Sequence, residues 1–405
     1  MRRRIWYAGL LLWSLLFGLQ TRAAGDSIDV SLLTCSPGTE AYSLYGHTGL
    51  RVRNHTQRLD VVFNYGVFDF RQPHFIWRFV LGECDYELAP IPYDLFMQTY
   101  ADRGSSVIAQ TLNLTTEEAN RLFALLVFDS QPENRTYRYN FLSNNCTTRV
   151  SDRIEEAVSG KVRYKESGEH FTYRQLLHRY TQDYPWYETG IDMLLGAACD
   201  TLLSDRAARF LPEQLMRDFA FAQIYDEEDN RRPLVADTRV LLREDENRPA
   251  APSPFPVSPL LTGLALLLLL SLTAWAERRF RRMFWGVDML LLSLQGVAGL
   301  LISFMFLFSE HPTVGTNWLI VVFNPLPLLC MPWVVRCAIR RKVCLYHYIN
   351  FLWLLLFLAF MLWIPQDFPV LVPLLVLSLL TRPVSYYLHY SRKAEVSNPE
   401  NNRNA

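Results

Sequence analysis

Phe141-Leu142-Ser143-Asn144-Asn145-Cys146-Thr147-Thr148-Arg149 passes from a strand-like run into a helical pattern over residues 149–158. Ser143 and the two asparagines are side chains that cap helices, so Cys146 is expected in the first helical turn. Unpaired backbone N–H groups and the positive helix end favour thiolate over thiol there. A nucleophilic cysteine also needs a base. Among His47, His55, His74, His170 and His178, the first is best placed, in Tyr45-Gly46-His47-Thr48-Gly49-Leu50-Arg51 at the start of a strand that alternates into the core. A strand-borne imidazole facing a helix-start thiol is the Cys/His pairing of thiol hydrolases. The bland alternative is a buried, inert thiol and a turn histidine.

Outward from this pair, β-like runs fall at 28–33, 48–53, 61–65, 107–112 and 137–141, with Asn54-His55-Thr56-Gln57 suited to a hairpin loop. Capping boxes at Thr115–Glu118 and Thr172–Gln175 open two helices, and Pro212 suits the first turn of another. The mixture predicts an α+β domain with a mostly antiparallel sheet. His55 and His74 fall in loops, and His170 and His178 flank or occupy an amphipathic helix; all four are read as surface or packing residues. A third group should orient the imidazole. Asn64 and Asp60, on the second strand of the hairpin, are the choices, with Asn64 preferred.

The rest of the chain has a different solvent preference. Half of the 405 residues are hydrophobic, which excludes a disordered chain. Forty basic residues balance forty acidic ones, so a dedicated nucleic-acid binder is not expected. Met1-Arg2-Arg3-Arg4, an apolar run from Ile5 to Leu19 and Thr21-Arg22-Ala23-Ala24 have the layout of a secretory signal peptide over 1–24, or of an uncleaved anchor. A domain over 25–244 is therefore exported. A proline-rich spacer at 245–256 follows, then five apolar segments at 257–276, 285–308, 318–335, 345–364 and 370–390, and a tail at 391–405.

Arg278, Arg279, Arg281 and Arg282 follow the first apolar segment, Arg336, Arg340, Arg341 and Lys342 the third, and Arg392 and Lys393 the fifth. The loops at 309–317 and 365–369 have no Lys or Arg, so the basic ends are expected in the cytoplasm and the exported domain opposite them. Pro325, Pro327 and Pro332 should kink or break the third segment. Asp288 and Gln295 share a helix face, Asp288 near the interface, and Arg382 is expected to snorkel. Cys330, Cys337 and Cys344, also spaced by sevens, are read as packing.

Cys35, Cys84, Cys146 and Cys199 belong to the exported domain, and their spacing fixes no disulfide connectivity. There is no CxxC, HExxH or glycine-rich phosphate loop, so neither a metal nor a cofactor is expected.

The order of His47 before an Asn145-Cys146 step resembles permuted NlpC/P60 domains, papain-like enzymes such as the lecithin–retinol acyltransferase group, although Asn145-Cys146-Thr147-Thr148 stands where that group has Asn-Cys-Glu-His. Thr34-Cys35-Ser36-Pro37-Gly38, Tyr45-Gly46-His47-Thr48, Phe63-Asn64-Tyr65-Gly66-Val67-Phe68-Asp69, Ser143-Asn144-Asn145-Cys146-Thr147 and Gly190-Ile191-Asp192 resemble the periplasmic domain of the Lnb family, whose membrane part the five segments fit. That resemblance implies a lipoprotein N-acyltransferase of the bacterial inner membrane with its catalytic domain in the periplasm. Cys146 and His47 would be catalytic, supported by Asn144, Asn145, Asn64 and Tyr65. The resemblance does not give the acyl donor; because the periplasm has no ATP, the ester of a phospholipid is the activated donor expected to pass its acyl group through a thioester, and the lipidated N-terminal cysteine of a diacylglyceryl lipoprotein would receive it. Two other classes stay open, a periplasmic Cys/His cell-wall peptidase and a non-catalytic membrane receptor or assembly factor.

Overall fold

The computed structural model describes residues 28–68, 71, 73–166, 168–245 and 255–397. The expected signal peptide, most of the proline-rich spacer, the end of the tail and Asp69 of the quoted motif lie outside them. The chain forms two compact units: one holds the residues up to Tyr180 and those from Leu202 to the spacer, the other Thr181–Thr201 and the residues after the spacer.

In the first unit, β1 (Ile28–Cys35), β2 (His47–Asn54), β3 (Leu59–Val67), α1 (Phe75–Leu81), β4 (Asp85–Pro92), α2 (Tyr93–Arg103) and β5 (Val107–Leu112) come first. They are followed by α3 (Thr116–Asp129), β6 (Thr136–Arg138), α4 (Cys146–Ala157), β7 (Lys161–Arg163) and α5 (Tyr173–Thr181). With α6 (Pro185–Leu194) belonging to the other unit, α7 (Asp205–Ala208), α8 (Pro212–Phe221), β8 (Gln223–Tyr225), β9 (Arg231–Pro233) and β10 (Val235–Leu242) complete it. The main sheet runs β10-β5-β1-β2-β3-β4-β6 with every neighbouring pair antiparallel.

Strand alternation gives this sheet two covered faces. Leu32, Leu50, Val52, Val61 and Phe63 pack with Leu122 and Leu126 of α3, Val150 and Ile154 of α4, and Leu215 and Phe219 of α8. Leu33, Cys35 and Val62 point the other way, against Phe96 and Tyr100 of α2. Each fully buried aliphatic or aromatic side chain contributes about 1.5–3 kcal/mol. Both expected capping boxes form: Thr115 Oγ1 accepts from the Glu118 N–H at 3.3 Å while Glu118 accepts from the Thr115 N–H at 2.8 Å, and Thr172 and Gln175 exchange bonds of 3.2 and 3.0 Å.

The strand expected over 137–141 stops at Arg138. Asn140 ends it by accepting the Leu142 and Ser143 N–H groups at 3.0 and 3.1 Å, an Asx turn that competes with the ladder. That turn delivers the chain to the start of α4.

The second unit contains α9 (Pro259–Phe280), α10 (Trp285–Phe308), α11 (Leu326–Ile339), α12 (Leu345–Phe360) and α13 (Leu371–Ser397). Among the described residues, five stretches are long and apolar enough to cross a membrane. The third is broken, as its prolines require: a 3₁₀ turn at Trp318–Val321 is separated from α11 by Pro325. Gly299 lets the break lie against α10, since a Cβ there would come within 2.3 Å of the Asn324 backbone. Gln295 Nε2 donates to the freed Val322 carbonyl at 2.8 Å. Thr181–Thr201, assigned by sequence to the exported domain, belongs to this unit: Asn317 Nδ2 donates to the Met193 carbonyl at 2.8 Å and Gln366 Nε2 to that of Leu195 at 3.2 Å.

Arg382 and Asp288 correct the sequence reading. Neither snorkels; both are buried. Arg382 of α13 donates to Asp288 of α10 at 2.8 and 3.1 Å, and to Glu277 of α9 at 2.8 and 3.0 Å. A guanidinium fork meets two carboxylates at once, which makes burial tolerable where a lone charge would be expelled.

Candidate active site

Cys146 opens α4, and Asn145 sets its position. Asn145 Oδ1 accepts the Thr147 and Thr148 N–H groups at 2.8 and 3.0 Å, while the Asn145 N–H donates to Thr148 Oγ1 at 2.8 Å. Its amide nitrogen donates to the Phe141 and Phe210 carbonyls at 2.7 and 2.9 Å. A buried cap used on both ends of its amide cannot rotate without losing several bonds. The nucleophile's backbone is therefore fixed.

His47 begins β2. Its Nε2 is 2.5 Å from Asn64 Oδ1 on β3, and its ring lies near enough to the Cys146 thiol for each to shift the other's protonation. With Nε2 given to Asn64, Nδ1 is the ring nitrogen left for the thiol. An amide oxygen can only accept, so Nε2 carries a proton and Nδ1 is free to take or return one. Tyr100 of α2 stacks on the imidazole at 6.4 Å between centroids.

The electrostatics follow from this pairing. Burial is the largest single influence and opposes charge on both groups, and the opposite charge and hydrogen bonds beside each together outweigh it. Cys146 is lowered from the ordinary thiol range, by the His47 charge, the His47 hydrogen bond, the Thr48 backbone and Thr147 acting against burial. His47 is raised, by the Cys146 charge and the hydrogen bonds to Cys146 and Asn64, again against burial. The two shifts widen the pH range in which thiolate and imidazolium coexist. Cys35, which pairs with His47 in the sheet, goes the other way: burial drives its thiol up.

Two family sequence models match the chain, the Lnb N-terminal periplasmic domain over residues 19–179 and the Lnb transmembrane domain over residues 251–394. The chain belongs to the Lnb family. No curated protein and no solved structure matches it. It is a multi-pass membrane protein with a periplasmic domain, and that domain holds the Cys146–His47 pair.

Within this Lnb periplasmic domain the other expected site residues divide. Asn64 and Asn145 meet the pair as described. Asn144 shapes the turn before the helix, donating to the Arg138 carbonyl at 2.7 Å and accepting from Arg149 Nε at 2.8 Å. Tyr65 donates to Asp129 at 2.6 Å, and Asp129 is gripped by Arg153 of α4 at 2.7 Å through both oxygens. Tyr65 thus ties β3 to the helix that carries Cys146. Asp60, the alternative to Asn64, is held by Arg51. His55 pairs with exposed Asp29, and His74 precedes α1 in a left-handed conformation. Among the described residues, no three His, Cys, Asp or Glu side chains gather as a metal would require.

Sequence reasoning missed Thr48, Thr147 and Gly66. Thr48 Oγ1 lies 3.0 Å from Thr147 Oγ1, joining the histidine strand to the cysteine helix. Gly66 has φ +93° at a bulge between Asn64 and Val67, so only glycine is unstrained there. A glycine inside a strand pattern was a legible signal of close approach.

Proposed function

We propose that this protein is a lipoprotein N-acyltransferase that carries a fatty acyl group on Cys146. The observation that supports this best is the fixed Cys146–His47–Asn64 array in a periplasmic domain that belongs to a multi-pass membrane protein. Thiolate attack on a phospholipid ester carbonyl forms the C–S bond and places negative charge on the carbonyl oxygen. As the carbonyl re-forms, the ester C–O bond breaks and the His47 imidazolium gives its proton to the lysophospholipid alkoxide. The α-amine of a diacylglyceryl cysteine then attacks the thioester, His47 takes the N–H proton, and the thiolate leaves. The products are a lysophospholipid and an N-acylated lipoprotein. No nucleotide or metal enters this balance.

A lipid donor also suits α1. Phe75-Ile76-Trp77-Arg78-Phe79-Val80-Leu81 has no buried residue, and Ile76, Trp77 and Phe79 are 78%, 56% and 47% exposed. Such an aromatic surface fits a bilayer better than a murein peptide. The test is to incubate the purified protein with acyl-labelled phospholipid and look for a hydroxylamine-sensitive label on Cys146, then for its passage to a diacylated lipoprotein. Label that never reaches protein, or stays after Cys146→Ala, overturns the proposal.

A further inference from the structure

Tyr137, on β6, is a buried tyrosine whose hydroxyl has no hydrogen-bond partner among the described residues, and its side chain reaches the cysteine site. Its ring is held on two sides, edge-on to Tyr65 at 6.1 Å and beneath the Arg149 guanidinium at 4.3 Å from the centroid. The hydroxyl is therefore pinned by its ring rather than by a bond of its own. Buried polar groups are nearly always paired, and one held unpaired beside a nucleophile is a donor awaiting an acceptor.

Gly66 locates that acceptor. A Cβ on this residue would stand 3.7 Å from Cys146 Cβ and 4.0 Å from Tyr137 Oη. The bulge thus opens a slot with the nucleophile's side chain at one wall and the phenol at the other. Helix α4 contributes less than its position promises: the Asn145 cap has taken the Thr147 and Thr148 N–H groups, leaving the Cys146 amide as the first-turn donor beside the sulfur. One amide is half of the usual two-donor arrangement for a tetrahedral oxyanion.

We propose that Tyr137 is a catalytic residue, its O–H donating across the Gly66 slot to the oxyanion formed when the Cys146 thiolate adds to an acyl carbonyl. The inference rests on the acyl-transfer reading above and extends it. The phenol keeps its proton throughout: it donates while the carbonyl oxygen bears the charge, and releases the oxygen when the C=O bond re-forms. Burial, together with the nearby Cys146 charge, drives the Tyr137 phenol upward and so keeps it a donor. The same slot would serve both half-reactions, since each passes through an oxyanion at the same carbon.

The test compares full-length wild type with Tyr137→Phe in detergent, using two reagents that react with the same sulfur. p-Nitrophenyl butyrate acylates Cys146 through a tetrahedral oxyanion, whereas iodoacetamide alkylates it by displacement and forms none. The expected result is acylation slowed about 100-fold, the worth of one oxyanion donor, with alkylation unchanged. The thermal midpoint should stay level or rise, because the variant removes an unpaired hydroxyl without opening a cavity. Incorporating 3-fluorotyrosine at 137 keeps the donor and should keep acylation near the wild-type rate even if phenylalanine disturbs packing. Equal acylation by wild type and Tyr137→Phe overturns the inference, as does a parallel fall in alkylation, which would place Tyr137 behind the thiolate. Should wild type accept the butyryl group yet pass nothing to a lipoprotein, the N-acyltransferase reading fails, while the ratio of the two rates still decides the role of Tyr137.

Discussion

Each unit of this protein buries a cluster of charge-bearing side chains, and the two are finished differently. In the membrane unit, Arg382 bonds Glu277 and Asp288 together, Ser385 donates to Glu277 at 2.5 Å, and the Phe284 N–H donates to it at 2.7 Å. The carboxylates are met from several sides and three helices are joined. In the periplasmic unit, Asn64 orients His47 and Asn145 fixes Cys146, but Cys146 is only half-buried and the Tyr137 hydroxyl has no partner among the described residues. Saturated charge holds a fold together; unsaturated charge, held rigidly, is available to a substrate. Burial by itself does not separate the two cases, but the tally of satisfied donors and acceptors does.

Four perturbations would break or sharpen this contrast. The largest effect is expected from Cys146→Ala, which should remove acyl transfer by a factor on the order of 10⁴ or more, measured as N-acylation by mass spectrometry. Folding should be unaffected, because Asn145 rather than the thiol caps the helix. Near-normal turnover would mean that the sulfur is another buried group with a structural role.

His47→Gln should slow both half-reactions by roughly 10²–10⁴-fold. It should also move the pH dependence of Cys146 alkylation. In wild type the thiolate is favoured, so the inflection should lie below that of a free cysteine. Without imidazolium the upward push of burial is opposed only by the Thr48 backbone and Thr147, and the inflection should move up from its wild-type position. An unchanged profile would detach the histidine from the thiol.

Arg382→Ala leaves two buried carboxylates uncompensated and should cost about 3–5 kcal/mol of stability, read from unfolding in mixed detergent. In protein that remains folded, Cys146 acylation by a soluble ester should be unchanged. A selective loss of acylation would give the membrane cluster a part in the chemistry. Asn64→Ala should have the smallest effect, roughly five- to tenfold in rate, the worth of one hydrogen bond that orients an imidazole already stacked on Tyr100. No loss at all would show that the stacking suffices.

Much of this arrangement is legible along the chain because it is local. The start of α4 at Cys146 follows from the Asn-Asn-Cys step, and the Thr115 and Thr172 capping boxes mark where their helices start. The second apolar segment has the bounds of α10, Trp285–Phe308. Asn64 was reachable because hairpin neighbours β2 and β3 are close in sequence. The misses are non-local. β4 and β10 carry no clean alternation: residues 85–92 hold two prolines at positions paired with β3, and β10 is an edge strand with most of its residues exposed or half-exposed. Arg382 and Asp288 were read singly as interfacial because their partnership spans 94 positions.

The sequence by itself determined that one part of this chain is exported-type α+β and the other membrane-spanning, and it singled out Cys146 and His47. Periodicity, capping side chains and apolar length are properties of a few adjacent turns, and each constrains the chain wherever it lies. Only the tertiary structure decided which groups face one another. It placed Asn64 on Nε2 and gave Asp60 to Arg51; it committed Tyr65 to Asp129 and left Tyr137 beside the sulfur with its hydroxyl unpaired. Asn and Asp on one strand, or two tyrosines on different strands, have equivalent local preferences. What distinguishes them is the neighbour that packing brings within about 3 Å, and that neighbour comes from elsewhere in the chain.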